Sequence, residues 1–205
     1  MPRVQFTKSL MPRQIRRRLS PASALPAVLP PVDDAARTSP GPLAGHHVLL
    51  VVERAAQDAD EPTAATIATR LRSGGARVNV LDCYSTIADL VGHRIAGTPD
   101  VVIGMLPGRG PALAAIRAAE RLDAPLLALV RDDGPASWGE GSTLRRAAAV
   151  ILTGEDLRER VQRAGAHENR IEVWHWFTAS GMATLEHLIQ RTITGYQRRS
   201  SRTHL

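Results

Sequence analysis

Residues 47–52 read His-Val-Leu-Leu-Val-Val, and this short run decides the fold. Its last five residues are apolar without alternation, and the run is too short for a helix of ordinary length. An uninterrupted apolar run of this kind is typical of a strand that is buried on both faces. Sheets covered on both faces are almost always parallel and carry helices on each side. The run therefore predicts the first strand of an α/β domain.

Similar runs recur downstream, and helical segments separate them. The sequence predicts further strands at residues 77–81, 100–104, 125–130, 149–152 and 170–174. It predicts helices over residues 62–73, 85–96, 110–122, 144–147 and 153–163, and a last helix from Ser180 to about Tyr196. Strands that alternate with helices at this spacing indicate right-handed crossovers. The predicted fold is a single-domain, Rossmann-like doubly wound parallel sheet in three αβα layers.

Local signals set the predicted boundaries of these elements. Pro62 is placed at the first position of its helix, and Gly74-Gly75 ends that helix. Thr153 with Asp156 forms a start that resembles a capping box. Residues 131–141 are predicted to be a long loop, and Trp174 is predicted to pack in the core.

The net charge of +6 is unevenly distributed over the 205 residues. Residues 1–45 carry seven basic and two acidic side chains, residues 46–190 carry 15 and 18, and residues 191–205 carry four and none. A basic protein invites a nucleic-acid partner, because neutralised phosphates supply most non-specific affinity. The near-neutral body argues against that partner, since the basic charge belongs to the two tails.

Composition divides the chain into three segments. Residues 1–45 form a basic, proline-rich arm and linker that is predicted to be disordered. Residues 46–178 form the α/β domain, and residues 179–205 form a C-terminal helix with a basic tail. The arm is either a solvated terminus or a basic amphipathic segment that lies on an anionic membrane. We expect a cytoplasmic protein, with peripheral membrane attachment as the second interpretation.

The turn after the first predicted strand excludes two classes of nucleotide-binding protein. Residues 53–61 contain no glycine, whereas dinucleotide fingerprints and P-loops need glycine where the backbone approaches phosphate. The acids Asp58, Asp60 and Glu61 precede a helix start, where the helix dipole favours negative charge. They are interpreted as structural, and Cys83 is the only cysteine, so no metal site is predicted.

Candidate ligand-binding residues follow two predicted strands, because ligands of doubly wound sheets bind at the carboxyl ends of strands. Gly108, Arg109 and Gly110 open a helix and form either an anion site or a tight turn with a solvent-facing arginine. Arg131 and Asp132 follow the fourth strand. Asp132 is the one catalytic candidate, since it could orient a sugar hydroxyl or act as a base. A turn formed by Asp-Gly is the commoner explanation.

A family resemblance rests on the second half of the domain. Residues 144–161 read Leu-Arg-Arg-Ala-Ala-Ala-Val-Ile-Leu-Thr-Gly-Glu-Asp-Leu-Arg-Glu-Arg-Val, with Ala-Gly-Ala at 164–166 and Arg-Ile-Glu-Val at 170–173. This stretch resembles the end of the N-terminal, acceptor-side domain of family-4 glycosyltransferases of GT-B fold. Segments 74–81, 99–103 and 124–130 agree with that domain in order, so the resemblance covers residues 46–178.

The resemblance implies the acceptor-binding half of a sugar-nucleotide-dependent glycosyltransferase. In that family a second Rossmann-like domain holds the donor nucleotide, and we expect this sequence to lack it. Asp132 matches a polar family position, whereas residues 53–61 replace the family's glycine-rich loop and Gly104-Met105-Leu106 replace its histidine region. We therefore expect a domain that is inactive alone and binds no cofactor. It would be a degenerate homologue or the subunit of a donor-binding partner that carries the nucleotide sugar.

Two further classes share the architecture or the composition. A phospho-accepting receiver domain needs an acidic pair, an acceptor aspartate and a lysine at the ends of its first, third and fifth strands. Those positions read Glu53-Arg54, Gly104 and Thr153, so the chemistry of a receiver is excluded. The alternative to the glycosyltransferase-like domain is a non-catalytic binding or scaffolding module whose basic tails contact a membrane or a protein.

Overall fold

The computed structural model describes residues 41–53, 63–83, 97–131, 138–175 and 179–203. Within them lie the strands β1 His47–Glu53, β2 Arg77–Cys83, β3 Val101–Leu106, β4 Leu126–Val130, β5 Ala149–Leu152 and β6 Ile171–Val173. The helices are α1 Ala64–Ser73, α2 Arg109–Leu122, α3 Trp138–Arg146, α4 Arg158–Arg163 and α5 Ala179–Thr203. Of the predicted arm over residues 1–45, residues 1–40 lie outside the described residues, as does the predicted helix over 85–96. Leu43, in the described part of that segment, is buried in the core.

The six strands form one parallel sheet in the order β2-β1-β3-β4-β5-β6. The chain first adds β2 on one side of β1 and then builds the rest of the sheet on the other side. The order therefore reverses between β1 and β3, which is the topological switch point of a doubly wound sheet. The predicted α/β fold is confirmed.

Strands β1 to β5 divide their side chains between two cores, because successive residues of a strand point to opposite faces. Leu49 and Val51 of β1 belong to a core that includes residues of α2, α3 and α4. Val48, Leu50 and Val52 belong to a second core that includes residues of α1 and α5. The sheet is thus covered on both faces, which makes the three layers of the predicted architecture.

Helix α2 approaches the sheet closely at Gly104 of β3. A Cβ atom at that position would lie 2.8 Å from the Cβ of Ala115, which is closer than real side-chain contacts allow. Two small residues facing one another therefore set the distance between helix and sheet. This contact fixes α2 against β3 and places the first turn of α2 beside the switch point.

Several predicted boundaries are wrong, for local reasons. Helix α1 begins at Ala64, because the hydroxyl of Thr63 caps it by accepting a hydrogen bond from the amide of Thr66 at 3.1 Å. Pro62 itself lies outside the described residues. Helix α3 begins at Trp138, inside the predicted loop, and α5 continues through the basic tail to Thr203.

The predicted capping box at Thr153 is also wrong. The Thr153 amide donates to the Val130 carbonyl at 3.1 Å, so this residue continues the pairing of β4 with β5. Its hydroxyl donates to the carbonyl of Arg131 at 2.7 Å. The 3₁₀ turn Glu155–Leu157 begins after Gly154 without a side-chain cap. Thr153 therefore joins two strand ends rather than starting a helix.

Trp174 lies in the core, as predicted. Its side chain is 1% exposed and belongs to the same core as Leu185 and Ile189 of α5. The amide of Trp174 donates to the carbonyl of Leu152 at 2.7 Å, which extends the pairing of β6 with β5. The residue thus connects the last strand to the helix that covers it.

Candidate functional site

The candidate site lies at the carboxyl edge of the sheet, where β1 and β3 end. Glu53 is the last residue of β1, and Leu106 is the last residue of β3. The helices that follow these two strands, α1 and α2, pack on opposite faces of the sheet, since the order of strands reverses here. Ligands of doubly wound sheets bind in the crevice at this point.

A tight turn leads from β3 into α2. The peptide bond between Leu106 and Pro107 is cis, and Gly108 has φ 143° and ψ 129°. A positive φ of this size is accessible to glycine and costly for other residues. The carbonyl of Gly108 accepts a hydrogen bond from the Ala112 amide at 3.1 Å, which closes the first turn of α2. The predicted tight turn at Gly108 is therefore present.

The carboxylate of Glu53 reaches this turn from β1. A Cβ atom at Gly108 would lie 2.5 Å from Oε2 of Glu53, so glycine leaves the space that the carboxylate occupies. The positive end of the α2 dipole stabilises an acid at this position. Conversely, the acid repels any anion brought to the same turn. The sequence analysis did not select Glu53 as a site residue, although its position directly after the first predicted strand could have pointed to it.

The other predicted site residues are placed only in part. Gly110 is buried in the first turn of α2, and Arg109 opens that helix, but the side chain of Arg109 lies outside the described structure. Asp132 lies outside the described residues. The anion site predicted at Gly108 to Gly110 and the catalytic role predicted for Asp132 therefore stay predictions.

Arg131 is held between its neighbours by backbone hydrogen bonds. Its amide donates to the Leu106 carbonyl at 3.0 Å, and its carbonyl accepts from the Thr153 hydroxyl at 2.7 Å. These bonds join the ends of β3, β4 and β5 at one edge. The structure thus brings Glu53, Gly108 and the backbone of Arg131 to the ends of three adjacent strands.

A buried ion pair joins α3 to α4 near this edge. Glu140, in the first turn of α3, is 0% exposed, and its Oε1 accepts a hydrogen bond from Nη2 of Arg160 at 2.6 Å. Arg160 belongs to α4 and is 15% exposed. A pair removed from water in this way is costly to break, because the remaining charge loses its partner. The pair therefore fastens α3 to α4.

No group of three or more metal-ligating side chains occurs within the described ranges. Cys83 is buried and not bonded to another cysteine. No helix in the described part of the chain is long and apolar enough to cross a membrane.

No protein-family model matches this chain, and no curated protein matches it either. Fold and site together define a class rather than a family: a doubly wound α/β domain with an acid at its switch point.

Proposed function

We propose that this protein is an acceptor-side, glycosyltransferase-like domain that binds a hydroxyl-bearing acceptor in the crevice between β1 and β3. A donor-binding half, on this or another polypeptide, would supply the nucleotide sugar. The observation that carries the proposal is the position of the Glu53 carboxylate against the first turn of α2.

The chemistry of this position favours a hydroxyl group over a phosphate. A carboxylate accepts hydrogen bonds and has none to donate, so sugar hydroxyls are suitable partners for Glu53. A phosphate brought to the same turn would meet a like charge, which disfavours its binding. The crevice is therefore better suited to an acceptor than to the diphosphate of a nucleotide-sugar donor.

The architecture supports the same assignment. The domain that the sequence resembles is the acceptor-binding half of its enzymes, and a second Rossmann-like domain holds the donor nucleotide. In this protein the described residues form one such sheet, with helices on both faces and Glu53 at the switch point. One sheet supplies one wall of the two-domain cleft, so we expect no transfer by this domain alone.

The proposal is tested by titrating the ¹⁵N-labelled protein with neutral methyl glycosides and with myo-inositol. We expect saturable amide shifts at Glu53 and Gly108, and about tenfold weaker binding in Glu53→Gln, because a charge-assisted hydrogen bond is lost. Glu159→Gln is the matched control, since Glu159 is 82% exposed on α4. Shifts confined to residues far from the crevice would contradict the proposal, and so would equal effects of the two variants.

A second experiment tests the expectation of no autonomous activity. The full chain is incubated with UDP-glucose and with GDP-mannose, and release of the nucleoside diphosphate is measured. We expect release at the rate of the buffer alone. Hydrolysis above that rate, abolished by heat denaturation, would show that this chain binds and activates a donor without a second half.

The alternative function is a scaffolding module, and one observation favours it. Helix α5 continues to Thr203, so Arg198 and Arg199 are exposed on a helix rather than on a free tail. Flotation with phosphatidylserine vesicles and with phosphatidylcholine vesicles distinguishes the two functions. Binding to the anionic vesicles alone, reduced by the double substitution of Arg198 and Arg199 to Gln, would favour the scaffolding module.

A further inference from the structure

A cavity of about 410 Å³ opens at the amino edge of the sheet, opposite the candidate acceptor site. Its floor is formed by residues that precede β4 and β5 and by the last two turns of α2. The C-terminal turns of α5 form one of its walls. The lining residues are Ile116, Ala119, Glu120, Ala124, Pro125, Leu126, Arg146, Ala148, Arg170, Tyr196 and Arg199.

Arginines dominate the charged groups of this lining. Three of them, Arg146, Arg170 and Arg199, face one acid, Glu120. A second acid, Asp123, lies beside the cavity, where it accepts a hydrogen bond from the hydroxyl of Tyr196. Two helices, α2 and α3, also end at this edge, and the negative ends of their dipoles offset part of the positive charge. What the cavity offers a ligand is therefore the unused N–H donors of its guanidinium groups.

Two of the arginines use only part of their hydrogen-bonding capacity. Arg170 donates from Nη1 to the carbonyls of Arg145 and Ala147, at 3.4 and 3.2 Å, which closes the end of α3. Arg146 donates from Nη1 to Glu120. A guanidinium group has five N–H donors. Within the described residues, Nε and Nη2 of Arg146 and of Arg170 make no hydrogen bond, so they are open to a ligand.

The aromatic wall is fixed in place. The hydroxyl of Tyr196 donates to Oδ1 of Asp123 at 2.7 Å, and this bond ties α5 to the residue that follows α2. The same hydrogen bond raises the pKa of the Tyr196 phenol, an effect that nearby Arg199 opposes. The wall presents a ring and an arginine to the cavity.

We propose that this cavity binds a small organic anion whose phosphate or carboxylate group pairs with the unused donors of Arg146 and Arg170. The apolar body of the ligand would lie on the floor formed by Ala124, Pro125 and Leu126. A volume of about 410 Å³ falls within the range of small-molecule sites, about 300 to 1,000 Å³. Planar guanidinium groups match the geometry of carboxylate and phosphate, which adds direction to the charge.

Four probes test the contributions of the ring and of the charge separately. Phenyl phosphate and benzoate carry a ring with either acid, inorganic phosphate carries the charge alone, and benzyl alcohol carries the ring alone. Each is titrated into the ¹⁵N-labelled full chain while the amides of Leu126 and Ala148 are followed. We expect phenyl phosphate or benzoate to bind about tenfold more tightly than either partial probe, because charge and apolar contact act together.

Substitutions at the cavity change binding in opposite directions. Glu120→Gln removes the acid that competes for Arg146, so we expect about threefold to tenfold tighter binding of the aromatic anions. Arg146→Gln should weaken their binding about tenfold or more, since a charge-assisted hydrogen bond is lost. Arg117→Gln is the matched control, because Arg117 also pairs with Glu120, at 3.9 Å, but does not line the cavity. It should change the affinity less than about twofold.

The gain expected in Glu120→Gln keeps the proposal testable even if an arginine variant fails to fold. No gain in that variant would overturn the proposal, as would equal losses in Arg146→Gln and Arg117→Gln. Shifts at Gly108 instead of at Leu126 would also overturn it. Binding of an oligoglutamate peptide without binding of any small probe would show a protein-docking surface in its place. None of these results bears on the glycoside titration, which reports on the other edge of the sheet.

Discussion

The two edges of the sheet carry opposite charges for the same electrostatic reason. At the carboxyl edge, α2 and α3 begin, and the acids Glu53 and Glu140 lie at or near their first turns. At the amino edge, the same helices end, and Arg146 and Arg170 lie there. Each side chain thus has the charge that the local end of the helix dipole favours. A charged group at an edge therefore indicates a ligand only where it keeps hydrogen-bonding groups that the helix ends and its ion-pair partners do not use.

The two edges differ in which hydrogen-bonding groups are left over. The Glu53 carboxylate is matched to one helix start, so it serves a neutral hydroxyl better than an ion. At the amino-edge cavity, Nε and Nη2 of Arg146 and of Arg170 make no hydrogen bond within the described residues, although Glu120 and Asp123 offset part of the arginine charge. The rule for doubly wound folds selects the first edge, whereas the unused guanidinium donors select the second.

The largest effect is expected from Glu140→Ala, beneath the carboxyl edge. The substitution leaves Arg160, 15% exposed, without its carboxylate, and we expect a loss of about 3–5 kcal/mol in the free energy of unfolding. Urea denaturation measures the loss. Glu172→Ala is the control at an exposed pair, where Glu172 accepts from Arg191 at 2.7 Å, and it should cost less than about 1 kcal/mol. Equal losses in both variants would show that burial does not distinguish the two ion pairs.

The fold was predictable from sequence because it rests on continuous apolar runs. The run at 149–152 has the bounds of β5, and the run at 47–52 falls one residue short of β1. In a sheet buried on both faces, pattern and burial report the same property, so the runs locate the strands. The boundaries of helices depend on side-chain caps, and the wrong prediction at Thr153 shows that a capping residue type is not enough to locate a helix start. The Thr153 hydroxyl donates to the Arg131 carbonyl at the sheet edge and does not cap a helix.

The sites were less predictable, because their residues come from distant parts of the chain. Glu140 lies between Gly139 and Gly141, a composition typical of a loop, so nothing in the local pattern predicted its burial. Arg146 lies in the predicted helix 144–147 and Arg170 begins the predicted strand 170–174, and an arginine is commonplace at both positions. Their convergence on one cavity depends on the order of β4, β5 and β6 and on the length of α5, which local periodicity does not report.

The second largest effect is expected at Gly108, in the turn of the candidate acceptor site. Gly108→Ala must accept φ 143° and also displace Glu53, so we expect a loss of about 1–3 kcal/mol. Gly45→Ala is the matched control, since Gly45 has φ 83° but an added Cβ there would have nothing within 4 Å. Thermal denaturation should show the larger loss for Gly108→Ala. Adding Glu53→Ala to Gly108→Ala should recover part of that loss, and no recovery would mean that Glu53 and Gly108 are not coupled.

A pH-dependent effect is expected at the amino edge, from His47 at the start of β1. Burial lowers the pKa of His47 below its ordinary value of 6.5, and the charge of Arg77 lowers it further. A hydrogen bond with the Thr98 backbone and the charge of Asp100 oppose this shift. The unfolded chain binds the proton more readily than the folded protein does. The stability that results from the lowered pKa of His47 is therefore present above pH 6.5 and is lost as the pH falls through that lowered pKa.

The measurement for His47 is the melting temperature near pH 7.5 and near pH 5.5. We expect the fall in Tm between the two to be smaller in His47→Gln than in the unsubstituted protein. His187→Gln is the control, since His187 is exposed on α5, and it should leave the fall unchanged. If the Tm of His47→Gln falls as far as that of the unsubstituted protein, other groups account for the acid sensitivity of this edge.

The smallest effect is expected from Tyr196→Phe, in the wall of the amino-edge cavity. Its exposed hydrogen bond to Asp123 should contribute at most about 0.5 kcal/mol to the free energy of unfolding. The titration of the phenol reports the bond more directly. Hydrogen bonding to Asp123 raises the pKa of Tyr196 above its ordinary value of 10.0, so this contribution is present at lower pH and is lost as the pH rises through the raised pKa.

Phenolate absorbance near 295 nm measures that titration. The chain has two tyrosines, so Tyr84→Phe leaves Tyr196 as the single phenol. In this background we expect Tyr196 to ionise at a pH above the ordinary value, and Asp123→Asn to bring it back toward that value, because the asparagine has no charge to hold the proton on the phenol. Ionisation at the ordinary value in both proteins would mean that Asp123 does not hold the phenol, and the cavity would lose its fixed wall.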